Sequence, residues 1–202
     1  MKRVLCLVSG ATLVVTVAMA QPPAAGPVGV ALALQRQYAQ AKANLTNGTD
    51  KLTDADYAFK PTPDIRSYGA LFTHVADAHY QICAQAKGVS NPIQGTNLEQ
   101  TKTTKADVVK ALADSFAFCD DAFSTLTDET ASQMMTGGRG GPQSKAAILM
   151  NIVAHDNEMY GISTVYQRLK GTVPPSTEQM LRRGGPGGAG RGAPTGPGPG
   201  RN

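Results

Sequence analysis

The chain, 202 residues long, lacks most of the motifs that announce a chemistry. There is no G-x-S-x-G element and no glycine-rich phosphate loop, so neither a hydrolase nucleophile on a strand turn nor a nucleotide cradle is indicated. No stretch alternates with a period of two and no segment repeats, which argues against sheet-built folds and solenoids. Basic clusters are also missing from the interior. The net charge is +4, but Lys2, Arg3, Arg182, Arg183, Arg191 and Arg201 lie at the two ends. Without those six, 13 of the 19 basic residues remain against 15 acidic ones. A nucleic-acid-binding domain carries a basic face, so no nucleic-acid partner is expected. The acidic pairs Asp54/Asp56 and Asp120/Asp121 read as solvated surface rather than as paired catalytic acids.

The two ends differ from the middle. Lys2 and Arg3 precede an apolar run, Val4 to Ala20, that closes on the small-x-small pattern Ala18-Met19-Ala20. Residues 1–20 therefore read as a secretory signal peptide cleaved after Ala20, in competition with an uncleaved membrane anchor. Cleavage leaves no transmembrane segment and implies a periplasmic or extracellular protein. Residues 182–202, RRGGPGGAGRGAPTGPGPGRN, have no apolar periodicity with which to offset the entropy of ordering. They read as a disordered tail. Residues 21–181 are the right size for one domain with a real core. Export removes Cys6 and leaves Cys83 and Cys119. An even count in an oxidising compartment favours a disulfide over two buried thiols.

What is present is helical period. Ala31, Leu34, Tyr38, Ala41 and Leu45 define a first helix over about 28–47, with Gly48 as its stop. Ser67 caps a second, to about Lys87, whose face is Tyr68, Phe72, Val75, His79 and Ile82, with His74 at the flank. Thr104 caps a third, to about Leu126, through Val109, Leu112, Phe116, Cys119 and Phe123. Ser144 caps a fourth, ending at Gly171, through Ile148, Ile152, Met159, Ile162, Tyr166 and Leu169. His155 fills the one gap in that last stripe, which places it in a buried seam. A hydrogen-bonded core histidine and a metal ligand inside a bundle compete as readings of it. The segment Val173-Pro174-Pro175 takes the chain out of helix. Four helices of about 20 residues, joined by long connections, predict an all-α four-helix bundle with room for non-sequential neighbours.

Two stretches carry a resemblance. One is Pro61-Thr62-Pro63 leading into Arg66-Ser67-Tyr68-Gly69 and Leu71-Phe72-Thr73-His74-Val75-Ala76-Asp77. The other runs from His155-Asp156-Asn157-Glu158-Met159-Tyr160-Gly161 to Pro174-Pro175-Ser176. In this order and at this distance they resemble an exported member of the DinB-like (YfiT-type) helical bundle family. The resemblance covers about 32–176. It implies up-down-down-up topology and a divalent metal, zinc or nickel, held by one histidine of the second helix and an H-x-x-x-H pair of the fourth. It also implies hydrolase or thiol-transferase chemistry. Carried over by residue, the ligands are His74, His155 and Met159, the last a departure from the family histidine.

A thioether is soft and neutral, suited to copper(I) rather than to zinc or nickel. Glu158, three residues from His155, is an alternative oxygen donor. His79 lies five residues from His74 and points away from it, so the two do not share one ion. Tyr160 and Arg168 are candidate ligand anchors, and Arg168 is equally a helix-end charge. Three readings follow: an exported metal-dependent enzyme with a small-molecule substrate, a metal-free bundle that binds a small molecule or protein partner, and an envelope protein that makes contact through its tail. A homodimer stays open.

Overall fold

The computed structural model describes residues 28–136 and 141–184. The expected signal peptide, most of the expected tail and most of the Gly137–Gly141 loop lie outside the described residues.

Four long helices make the bundle: α1 (Val30–Thr49), α2 (Tyr68–Lys87), α4 (Lys105–Ser124) and α6 (Lys145–Leu169). Between and after them come a 3₁₀ turn (Asp54–Ala58) and the short helices α3 (Leu98–Thr101), α5 (Asp128–Ala131) and α7 (Pro175–Arg182). The expected caps are present. Ser67, Thr104 and Ser144 each accept a hydrogen bond from the backbone N–H three residues on, satisfying a donor that the helix cannot. Gly88, at φ 69°, ends α2, and Gly171, at φ 74°, follows α6, where a side chain would be strained.

The side-chain contacts fix the directions of the four long helices. Gln35 of α1 donates to the carbonyls of Phe123 and Leu126 at the far end of α4, and Lys42 meets Asp120. These two helices are antiparallel. Tyr68 at the start of α2 accepts from Gln167 at the end of α6, while His79 meets Asp156, so this pair is antiparallel as well. Cys83 with Cys119 and His79 with Ser115 place α2 parallel to α4. Tyr68 also donates to the carbonyl of Gly48 near the end of α1, at 2.6 Å. The result is up-down-down-up, with α2 between α4 and α6. Cys83 and Cys119 sit at disulfide distance, Cα–Cα 5.4 Å, and would staple the parallel pair.

Several local expectations need correction. Gly48 is not the stop of α1. It is buried inside the helix, and a Cβ there would lie 3.4 Å from Gln167 and 3.5 Å from Phe72. It lets three helices approach. The chain is also not wholly without strand: Met134–Met135 pairs antiparallel with Gln143–Ser144. Two residues a side are too few to leave a period. Past Pro174 the chain re-enters helix as α7, because Pro175 occupies the first turn, where a missing N–H costs nothing. On α6 the stripe turns further than expected: Ile162 and Leu169 are exposed, at 37% and 59%, and Ser163 and Gln167 are buried in their place.

Candidate functional site

Two histidine sites lie near one another between α2 and α6, and they differ in every physical respect. The inner one is His79. Its ring is fully buried, with Nδ1 3.0 Å from Ser115 Oγ on α4 and Nε2 2.8 Å from Asp156 Oδ1 on α6. Ser115 Oγ donates its one proton to the carbonyl of Leu112 at 2.8 Å, so His79 Nδ1 donates to Ser115. One proton then sits between Nε2 and Asp156. Serine, histidine and aspartate in contact resemble a catalytic triad. This one does not work as such. All three side chains are sealed from solvent, and the serine proton points at a backbone carbonyl. The network ties three helices together where an apolar core alone would not choose their register.

The outer site is His74 on α2 and His155 on α6. Their ring centroids are 5.2 Å apart with planes tilted by 57°. Each is partly exposed, so His155 is not in the buried seam that period assigned to it. Asp156 takes that place. Both spacings, three or four residues on from Ile152, keep to the helical period, and only the partner His79, 77 residues away, decides between them. His155 Nδ1 is buried and has no hydrogen-bond partner. That leaves a buried donor or acceptor for a water or a ligand to satisfy, as Asp156 Oδ2 of the inner network is also left. Burial holds both imidazoles below the usual histidine range; the Arg66 charge adds to this at His74, and the neighbouring His74 adds to it at His155. Both rings are therefore neutral at pH 7 and able to donate a lone pair.

Beside His74 the chain builds two adjoining clefts, which share Arg66 and Glu99. Asp77 on α2 accepts from the backbone N–H of Leu98 and Glu99, anchoring α3 and the long connection that carries it over α2. Glu99 is thereby held 3.8 Å from His74 Nδ1, with its carboxylate gripped by Arg66 Nε at 3.1 and 3.2 Å. One cleft, about 370 Å³, is polar and includes His74, Asp77, Gln81 and Asn97. The other, about 580 Å³, has an apolar wall of Leu71, Met159, Ile162 and Tyr166, with Lys60 and Asp64 at its rim. Met159 is 6% exposed and sits one helical turn beyond His155.

Of the expected site residues, the fold thus brings His74 and His155 together and puts Met159 on the wall of the adjoining cleft. Tyr160 and Arg168 face elsewhere. The Tyr160 hydroxyl donates to Ser176 Oγ and accepts from its backbone N–H, and Arg168 reaches Thr177. They dock α7 rather than a ligand. Glu99 and Arg66 join the site although neither is among those expected residues. Glu99 stands on a four-residue helix in a polar connection, and no periodic signal places such a residue over His74.

A sequence profile of the DinB superfamily matches residues 37–162. Solved structures of the same fold include a DinB-like protein of Bacillus cereus ATCC 10987, 18% identical with a TM-score of 0.58, covering 70% of this chain and 93% of that one. A DinB-like protein of Bacillus subtilis is 16% identical at a TM-score of 0.54, with the same coverage. A conserved protein of Enterococcus faecalis is 16% identical at 0.57, covering 71% of this chain and 98% of that one. At these identities the likeness concerns the fold. No curated protein sequence matches the chain.

Proposed function

The chain belongs to the DinB superfamily, and on that premise we propose that the cleft between α2, α3 and α6 is the working site of an exported enzyme of hydrolase or thiol-transferase type, with a metal centre altered from the family pattern. The observation that carries this reading is the convergence of His74 and His155 from two helices, 5.2 Å between ring centres, with His155 Nδ1 buried and unpartnered. A structural histidine in a settled core has its partners, as His79 does. His74 lines the polar cleft, which is large enough for a small molecule. Cys83 and Cys119 at disulfide distance suit an oxidising compartment and so support export.

The donors present do not fit zinc or nickel. Two imidazoles fall short of the usual three nitrogen, oxygen or thiolate ligands, and no group of three His, Cys, Asp or Glu side chains among the described residues is placed to hold an ion. This observation favours a second reading, a metal-free bundle that binds a small molecule in the apolar cleft. Paired zinc titrations of the wild type and Met159→His decide between them. Met159→His restores the H-x-x-x-H spacing, with both rings on one helix face. If the histidines form the remains of a metal centre, zinc binding is weak in the wild type and at least 100-fold tighter in the variant. Equal, weak binding in both favours the metal-free reading.

A further inference from the structure

We propose that the chain forms a two-fold symmetric homodimer through the outer face of α6, with the two helices antiparallel. Helical period sets the face. Glu158, Gly161, Ile162, Val165, Arg168 and Leu169 are all exposed, and at about 100° a residue they fall on one stripe of the helix. The middle of the stripe is apolar: Ile162 is 37% exposed, Val165 52% and Leu169 59%. Large aliphatic side chains clustered in water mark a contact surface. Gly161 interrupts the row, and nothing lies within 4 Å of where its Cβ would be. A side chain from outside has room to enter there.

The charges of the face select a second copy as its occupant. Glu158 lies at one end of the apolar stretch and Arg168 at the other. They stand about 15 Å apart along the helix, too far to pair within one chain. A two-fold axis at the level of Ser163 sets Glu158 of one copy against the partner's Arg168, and the reverse pair forms with it, as a symmetric contact requires. The same axis sets Gly161 against the partner's Val165, so each valine enters the gap that the opposite glycine leaves. The charges and the gap thus choose one register independently. A parallel pairing in register would set like charges together. Arg168 is available for the contact: it makes two hydrogen bonds, both of 3.3 Å, to the Thr164 carbonyl and the Thr177 hydroxyl, and a guanidinium carries five N–H donors. Ile162 also lines the 580 Å³ cleft beside Ile65, itself 37% exposed, so the second copy borders that cleft. With Ile65 the face still presents fewer side chains than the roughly 20–30 a side of a standard interface, and a dimer that dissociates at micromolar concentrations is expected. The contact does not depend on whether the outer histidines hold a metal.

The test is sedimentation velocity of the full chain over a dilution series. It is run in a Cys6→Ser background so that no disulfide joins two copies. That chain is expected to sediment as a dimer that gives way to monomer on dilution. Glu158→Arg and Arg168→Glu, each alone, set like charges across the two-fold axis and should weaken association by about tenfold or more. The double variant restores opposite charges and should regain the original affinity. No effect within one chain produces that recovery, because the two positions are too far apart to interact. Gly161→Leu fills the gap and should abolish the dimer. All these positions are exposed, so the variants should fold, and circular dichroism checks that they do. A monomer at every concentration overturns the proposal and leaves the face to a different partner. An association that survives both single reversals, such as one through the apolar run Val4 to Ala20, overturns it too. So does a double variant that associates no better than the single ones.

Discussion

His79 and the His74–His155 pair occupy the same helix interface, yet one is closed and the other open. His79 has both ring nitrogens occupied and no exposed surface. The outer rings touch each other, reach solvent, and leave a nitrogen without a partner. A buried ring with both nitrogens occupied, as in His79, fixes helix register. One at the rim with a nitrogen unpaired carries a cost that a water or a ligand would remove.

The largest expected effect lies on the inner side of this contrast. Asp156→Ala leaves the buried His79 without its acceptor, and breaking a buried pair by removing one partner costs about 3–5 kcal/mol. Denaturation by urea should show a loss of that size. A loss below about 1 kcal/mol would mean that water or the remaining groups satisfy His79, and the closed site would not be the register-fixing element described above.

Next in size is the staple beside the inner network. Cys83 lies one turn from His79, and Cys119 one turn from Ser115. The pair spans 36 residues, and a closed loop of that length is worth about 2–4 kcal/mol. The double change Cys83→Ser with Cys119→Ser should lower stability by that amount and lose the cross-linked peptide pair in non-reducing mass spectrometry. If two free thiols are found in protein purified under oxidising conditions, the staple is absent.

The smallest effects belong to the outer pair. In metal-free protein, His74→Ala and His155→Ala should each change stability by less than about 1 kcal/mol, since both sites are partly open and few hydrogen bonds are lost. Loss of His155 also removes the orphaned Nδ1. A cost from either change as large as that of Asp156→Ala would erase the distinction between the two regions.

The bundle was legible because its signals are local. Ala31, Leu34, Tyr38, Ala41 and Leu45 repeat at helical spacing, and all five are buried; Ser67, Thr104 and Ser144 announce their helices and cap them. The site was legible only in part. The resemblance pointed to His74 and His155, and the fold brings them together. Period placed His155, rather than Asp156, inside the core, because an aspartate is a poor core residue until its partner is known, and His79 is distant in sequence. Gly48 looked like a stop because a glycine after a periodic run usually is one. Its actual role, close approach of α1 to Phe72 and Gln167, depends on packing between helices. Glu99 stayed hidden for the same reason: Asp77 and Arg66, not its own segment, put it where it is.

The chain contains only three histidines, so nitrogen-15 NMR of the imidazole rings reads both regions at once. On addition of zinc to Met159→His, the ring nitrogens of His74 and His155 should shift while those of His79 stay fixed. A shift at His79, or no shift at the outer pair, would contradict the division of this interface into a closed structural site and the open ligand site proposed above.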